Sequence, residues 1–440
     1  MSKFRQQHMS VMWHDISDKN SDKPAVNASL PEKAGLVGRV GLMLLSVGAG
    51  AFRVRAAMNK ISRALNITCN ADIGIKSIEY TCLEGSESCT NALSNVTYGV
   101  NTDKLHYLEY FCDGFTERVD RYSIDQFHTM LDTIQKGKGN YSLILSSLAS
   151  GMACAAFAFL LGGHIIDIIC SFFAATAGFA IRKTLLKRHI TLFGNVSAAV
   201  LVSCLVYILS VKLIDVIIGA PYDYQAGYIC SVLFVIPGFP LITGGIDLAK
   251  LDLRSGIERI TYAALIIGVA ATTCAFAAAL FNFCPEEFTS YSIDATIKYL
   301  LIMLTSFIGV FGFSILFNST PKMAATAGLI GMVANTLRLF LINQVGLGVS
   351  IAAFCGALTA GLLASSIKRF IGFPRITLTV PSIVIMVPGM FMYKSVYYIS
   401  TGAFSTGVDW FGKALIIVVS LPLGLVFARI LTDRNFRQSS

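Results

Sequence analysis

Apolar and polar positions follow two regimes along the chain. From residue 141 to 432, long apolar runs alternate with short polar breaks. A bilayer core about 30 Å thick is crossed by about 20 mostly apolar residues in a helix. Ten such runs occur, near 143–161, 164–181, 190–211, 226–246, 257–282, 295–317, 323–342, 345–366, 377–399 and 410–431. Gly, Ala, Ser and Thr are frequent inside them, as close helix packing in lipid favours. The pattern predicts an α-helical polytopic membrane protein with ten transmembrane helices.

Before residue 141 the pattern is amphipathic. Leu36, Val40, Leu44, Val47, Ala51, Val54, Met58, Ile61 and Leu65 recur every three or four positions, which predicts one long amphipathic helix. Its most apolar stretch, Val40 to Phe52, covers about 20 Å at about 1.5 Å per residue, too short to cross a bilayer. Strand-like stretches follow near 72–82 and 94–100, then helices near 103–114 and 123–136. The chain therefore divides into a polar N-terminal tail (1–33), an amphipathic helix with a small cytosolic α+β domain (34–140), a first five-helix transmembrane unit (141–284) and a second (285–440). Met1 to Asn20 is polar, so no signal peptide is expected.

Composition narrows the class. Only 14% of residues are charged, against about 25% in soluble proteins. That disfavours a soluble enzyme and excludes a disordered chain or a disulfide scaffold. The net charge of +9 fits either nucleic acid or basic cytoplasmic loops. Its distribution decides between them. With residue 140 inside and sides alternating, inside segments carry 14 cations: Arg182, Lys183, Lys187, Arg188, Lys250, Arg254, Arg259, Lys322, Lys368, Arg369, Arg375, Arg429, Arg434 and Arg437. Outside segments carry only Lys212, Lys298 and Lys413, and the outside loop Cys284-Pro285-Glu286-Glu287 is acidic. The positive-inside rule then puts both termini in the cytoplasm. No basic face with interleaved aromatics suggests a nucleic-acid partner.

The apolar region repeats itself. Ala174 to Phe179 matches Ala324 to Leu329, Gly162 matches Gly312, and Val235-Ile236-Pro237-Gly238-Phe239 matches Met386-Val387-Pro388-Gly389-Met390, all at nearly one offset. Two halves of five spans each imply a 5+5 inverted repeat, because an odd number of spans reverses the second half. Such repeats characterise secondary transporters, with a site near the midplane. Pro237-Gly238 and Pro388-Gly389 lie inside the fourth span of each half. Proline and glycine break helices there and free backbone groups for a solute.

Few ionisable residues lie within the runs. Arg338 sits late in the seventh, with Asn335 one turn earlier. An intramembrane arginine usually faces a cavity or a partner, and its planar fork suits a carboxylate. The alternative is a snorkelling or structurally paired arginine. His164 and Asp167 share a face at the outer end of the second span. They are candidates for proton coupling, or else a helix-entry pair. Asp215 and Asp247 end the third and fourth spans and read as interfacial; Lys394 reads as snorkelling outward. The 11 cysteines are scattered and read as packing groups. No phosphate-binding loop, His-Glu-x-x-His or Gly-x-Ser-x-Gly occurs, so neither a cofactor nor an enzymatic activity is expected.

Together these features resemble the threonine/serine exporter family in its fused two-unit form. The resemblance rests on Gly48-Ala49, Phe52-Arg53-Val54, Ala64-Leu65, Ile236 to Ile242 and Asp247 in the first half. In the second half it rests on Phe311-Gly312-Phe313, Phe317-Asn318, Pro321, Gly328, Gly331, Arg338 and Val387-Pro388-Gly389 with Tyr393. The sequence lacks the acidic residues that the family carries near Gly50 and Arg55. Thr243 stands where an asparagine is common, and Ile385 near a usual proline. The resemblance implies proton-driven export of small polar amino acids across the bacterial inner membrane; relatives of the split form are linked to dicarboxylates such as succinate. Substrate contacts would come from Arg338, Asn335, Pro237, Gly238, Pro388, Gly389 and Thr243, and proton coupling from His164, Asp167 or Asp247. The partners would be a carboxylate-bearing solute and the bilayer. A channel and a membrane-anchored sensor or scaffold are the rival classes.

Overall fold

The computed structural model describes residues 11–16, 23–95, 98–218, 225–281 and 294–437. The acidic loop at Cys284 to Glu287 and the first ten residues lie outside them. Two units are present: Met1–Gly139 with Ile246–Arg259, and Asn140–Gly245 with Ile260–Ser440.

In the first unit, α1 (Leu30–Ser46) starts at a capping box, with Glu32 accepting from the Ser29 backbone N–H at 2.9 Å. The expected single amphipathic helix is in fact two. Gly48 has φ 95° and ends α1. Its N–H donates to the Leu45 carbonyl and that of Ala49 to the Leu44 carbonyl, the pair of bonds that closes a helix around a left-handed glycine. The second helix, α2 (Ala51–Ala64), restarts with Gly50 as its N-cap. The apolar period continues through the break, so periodicity alone did not reveal it. Both apolar faces remain buried, through Leu36, Val40 and Leu44 on α1 and Val54, Met58 and Ile61 on α2.

A three-stranded antiparallel sheet follows, with β1 (Thr68–Ile73), β2 (Ser77–Glu84) and β3 (Glu87–Ser94) in that order. Tyr80 on β2 donates to the Ala34 carbonyl of α1 at 2.9 Å. The strand expected near 94–100 does not form there: the third strand, β3, ends at Ser94, and residues 95 and 98–100 are outside any strand. The helices expected near 103–114 and 123–136 form as α3 (Thr102–Asp113) and α4 (Ile124–Lys136).

Arg39 is fully buried in this unit. Its guanidinium donates to the His128 carbonyl at 2.9 Å, pairs with Asp132 and lies over the Trp13 ring. His128 itself is fully buried, and neither ring nitrogen has a hydrogen-bond partner among the described residues. Burial first, and then the Arg39 cation, push His128 down to about 4; His14, Asp125 and Asp132 are the other titratable groups around it. The unfolded chain takes this proton near the ordinary value of about 6.5. Between the two values the unfolded state binds more protons, so stability falls as pH drops through this window, by about 3 kcal/mol in full. His128→Phe is expected to flatten that fall. Melting temperatures of the purified full chain in detergent between pH 7 and pH 4 measure it.

The second unit is helical: α5 (Leu143–Leu160), α6 (Ile165–Lys187), α7 (Leu192–Ile218), α8 (Gln225–Cys230), α9 (Gly238–Ala249), α10 (Leu253–Leu280), α11 (Ala295–Leu316), α12 (Pro321–Asn343), α13 (Val349–Ile371), α14 (Arg375–Val384), α15 (Gly389–Ser400) and α16 (Phe404–Thr432), with short segments of α9 and α10 belonging to the first unit. Among the described residues, eight helices are long and apolar enough to cross a membrane. Two further pairs pass that test together but bend: 227–235 with α9 by 62°, and α14 with α15 by 48°. The chain is thus a multi-pass membrane protein of eight to ten spans, and the bends fall at the two Pro-Gly pairs.

Small residues let α5 and α11 cross closely. A methyl group added at Gly312 would lie 2.7 Å from the Ala149 carbonyl oxygen and 3.1 Å from the Ala153 Cβ, and one at Gly309 would lie 3.4 Å from the Ala156 Cβ. Phe157 and Phe313 meet edge to face at 5.8 Å.

Candidate functional site

The two helix breaks share one local geometry. At the first, the N–H of Ile236 donates to Leu233, that of Gly238 to Ile236 and that of Leu241 to Pro237. At the second, Val387 donates to Val384, Gly389 to Val387 and Met392 to Pro388. The helices that follow, α9 and α15, have 12 residues each. Both end in the same left-handed turn, at Leu251 (φ 61°) and Gly402 (φ 86°).

The breaks also meet reciprocally inside the second unit. A methyl group at Gly238 would lie 3.3 Å from the side chains of Val384 and Val387. At Gly389 it would meet Leu233 at 2.9 Å and, closer still, Ile236. At both points the glycine backbone packs directly against side chains of the other break, which would have to move to admit a Cβ. Thr243 is buried on α9, with its hydroxyl donating to the Phe239 carbonyl at 2.9 Å.

Arg338 lies beside the second break. A methyl group at Gly356 would be 3.1 Å from Met386 Sδ and 3.2 Å from Arg338 Cβ, so both flank one point of α13. The Arg338 guanidinium donates to Asn335 Oδ1 at 3.2 Å, and Asn335 in turn donates to the buried Ser306 hydroxyl at 2.9 Å. Arg338 Nε has no hydrogen-bond partner among the described residues.

The helix starts give a structural offset. His164 caps α6 and Thr320 caps α12, so Arg182 and Arg338 stand equally far from the caps of their helices. Arg182 donates to the Phe234 carbonyl at the first break, at 3.0 Å. Arg182 lies within α6 rather than in a loop, because the apolar run stops at 181 while the helix continues to Lys187. On this register the matches of Ala174 to Phe179 with Ala324 to Leu329, and of Gly162 with Gly312, are out of step. Gly162 (φ 92°) lies just past the end of α5, whereas Gly312 lies inside α11. Short Ala/Gly strings recur readily in closely packed membrane helices. The Pro-Gly pairs keep a different separation, the one that also relates the left-handed turns at Leu251 and Gly402 after the two breaks.

His164 and Asp167 form the capping box that opens α6, with Asp167 Oδ2 accepting from the His164 backbone N–H at 2.9 Å. Asp167 is buried, and its Oδ1 accepts from the Tyr207 hydroxyl at 2.7 Å and the Gly227 N–H at 3.0 Å. Tyr207 was not anticipated. Lys394 is buried rather than snorkelling, with Nζ 4.6 Å from the centroid of the Trp410 ring. The apolar run from 377 hid that partner one helix away.

The first unit holds a separate charged cluster. Asp247 and Arg259 are both buried and lie 3.2 Å apart. Asp247 Oδ2 accepts from the Ser255 hydroxyl at 2.9 Å and from the Ala51 N–H at 3.1 Å, so it caps α2 in place of a Gly50 side chain. A Cβ at Gly50 would lie 2.7 Å from Asp247 Oδ1. The carboxylate of Asp247 therefore fills the space that a side chain at position 50 would need. Arg259 donates to the Ala49 carbonyl at 2.6 Å and to the Tyr98 hydroxyl at 3.0 Å. Nearby, Arg55 pairs with Asp252 at 2.5 Å. Asp247 is thus a buried ion-pair member, not an interfacial group. Arg259 falls inside the fifth apolar run, and that position was the one available signal for its burial. Among the described residues no group of three or more His, Cys, Asp and Glu could hold a metal ion.

Comparison with known proteins gives the family. No solved structure matches the chain. The protein titled "Probable succinate transporter subunit YjjP" from Escherichia coli (strain K12) is 24% identical over 231 residues, covering 51% of this chain and 86% of the relative. Its namesake from Klebsiella aerogenes is 25% identical over 227 residues, covering 51% and 84%. Two family models, each described as a threonine/serine exporter, match residues 35–281 and 302–431. The chain belongs to the threonine/serine exporter family of membrane transporters.

Proposed function

We propose that this protein is a secondary exporter built as a 5+5 inverted repeat, and that a small carboxylate-bearing solute binds where the two broken helices meet. The reciprocal contact of Gly238 with Val384 and Val387, and of Gly389 with Leu233 and Ile236, carries this reading. Two matched breaks that touch each other describe a pseudo-two-fold axis, and solute sites of inverted-repeat transporters lie on such an axis near the midplane. The contact of Phe157 with Phe313 supports the same axis.

The two equivalent arginines differ in occupation. Arg182 is committed to the Phe234 carbonyl, whereas Arg338 keeps Nε free of protein partners among the described residues. Arg338 is the group that takes the substrate carboxylate, with Asn335 and Ser306 orienting it. Family membership favours threonine and serine as substrates, and the relatives' titles favour succinate as the second reading. The shared chemistry is the carboxylate. Asp167 and His164 are the proton-coupling groups in this proposal, while Asp247 serves structure. The positive-inside distribution favours both termini in the cytoplasm, and the bacterial relatives favour an inner-membrane location.

Efflux from cells loaded with labelled threonine or succinate tests the proposal. Overexpression is expected to raise efflux of at least one, and an uncoupler to abolish that gain. Unchanged efflux of both, with the protein verified in the membrane, would sink the substrate assignment. Efflux that survives the uncoupler would indicate a channel.

A further inference from the structure

The sheet of the first unit aligns three cysteines. Cys69 on β1 lies directly opposite Cys82 on β2, and Cys82 directly opposite Cys89 on β3. Residues directly opposite one another in adjacent strands share a face, so the three thiols form a row across it. Cys82 is fully buried at the centre, and Cys69 and Cys89 are half-buried on either side. All three are free thiols.

We propose that this row is an oxidation site in which Cys82 bridges to one flanking cysteine and can exchange to the other. The backbone geometry permits both bridges. An antiparallel residue exchanges hydrogen bonds with one neighbouring strand only, so Cα separations of about 5.5 Å and about 4.5 Å fall on its two sides. Both lie within the disulfide range of about 4.4–6.8 Å. Cys69 and Cys89 stand two strands apart, about 9.5 Å, beyond the limit of about 7 Å for a direct bridge.

Hydrogen peroxide is the oxidant of suitable class. The Cys69 thiolate attacks a peroxide oxygen; an S–O bond forms, the O–O bond breaks and hydroxide leaves as water after taking a proton. The Cys82 thiol then attacks the sulfenic sulfur; the S–S bond forms, the S–O bond breaks and the departing hydroxide takes the thiol proton as a second water. Two thiols lose two electrons and one peroxide becomes two waters. The Cys89 thiolate can then displace Cys69 at the Cys82 sulfur, moving the bridge one strand. The hydrogen bond from the Cys82 thiol holds Cys69 below its ordinary value, and the same contact with burial raises Cys82. Cys69 is also half-exposed where Cys82 is buried, so peroxide reaches Cys69 first and its thiolate makes the attack. In a reducing compartment such a bridge is transient and regulatory.

The test uses full-length protein in detergent, reduced, freed of reductant and titrated with hydrogen peroxide. Remaining thiols are alkylated and the non-reduced peptides read by mass spectrometry. The expected product links Cys82 to Cys69 or Cys89 and is reversed by dithiothreitol. Cys69→Ser is expected to retain a Cys82–Cys89 bridge. Cys82→Ser is expected to form no bridge in the sheet and to leave Cys69 as a sulfenic acid that dimedone traps. Cys82 remaining alkylatable at peroxide levels that oxidise Cys69 would overturn the proposal. So would a Cys69–Cys89 bridge as the main product, or a Cys82→Ser protein that behaves like wild type.

Discussion

Arg338→Gln is expected to lower export by roughly 10- to 100-fold while the protein stays in the membrane at wild-type level. A hydrogen bond to a charged group contributes about 1.5–3 kcal/mol, and each 1.4 kcal/mol is about tenfold. Glutamine keeps the contact with Asn335 within reach but removes the charge that a carboxylate needs. Arg338→Lys keeps the charge and loses the planar fork, so it is expected to fall between the two. The asymmetry with Arg182 gives an internal control. Arg182→Gln loses the bond to the Phe234 carbonyl, so its expected effect is on stability at the first break. Initial efflux rates normalised to membrane protein, beside melting temperatures in detergent, separate the two outcomes. Equal losses of transport at unchanged stability for both variants would contradict the assignment.

The second large effect concerns the buried pair of the first unit. Arg259→Met leaves the Asp247 carboxylate fully buried without its cation. Removing one partner of a buried pair costs about 3–5 kcal/mol, whereas replacing both is often close to neutral. Arg259→Met is therefore expected to lower the melting temperature sharply and to deplete the protein from membranes. Asp247→Asn alone is expected to do the same to a smaller extent, because asparagine can still accept from Ser255 and Ala51. The double variant is expected to be more stable than the sum of the singles predicts, as a double-mutant cycle detects. Additive losses would mean that the two side chains are not coupled.

What the sequence made legible follows from physical scale. A membrane span is written as about 20 consecutive residues, so the eight long helices and both Pro-Gly bends could be read from the apolar runs and from Pro237 and Pro388. A helix end is written in one or two residues. The break between α1 and α2 turns on Gly48 alone, and the apolar spacing on either side ran through it undisturbed. Arg338 and Asn335 were legible because one turn of one helix brings them together. The bond from Asn335 to Ser306 was not, since it joins two different spans. The Asp247–Arg259 pair was hidden in another way. Each residue sits at the edge of an apolar run, where hydropathy alone makes a charge look solvent-exposed. Its burial depends on the Ala49 carbonyl and the Ala51 N–H at a helix break that the sequence pattern did not mark. The Ala/Gly strings stand six residues off the helix starts, whereas the Pro-Gly pairs mark two breaks of the same local geometry, because a proline inside a span is rare and acts directly on the backbone.

The most direct measurement is ligand-dependent thermal stability of the purified protein in detergent. A ligand that binds only the folded state raises stability by about 2.7 kcal/mol at 100 times its dissociation constant. The panel is threonine, serine, succinate and threoninol, which lacks the carboxylate, each against wild type and Arg338→Gln. A carboxylate site at Arg338 predicts a raised melting temperature with at least one of the first three, none with threoninol, and loss of the shift in Arg338→Gln. An equal shift with threoninol, or one undiminished in Arg338→Gln, would contradict it.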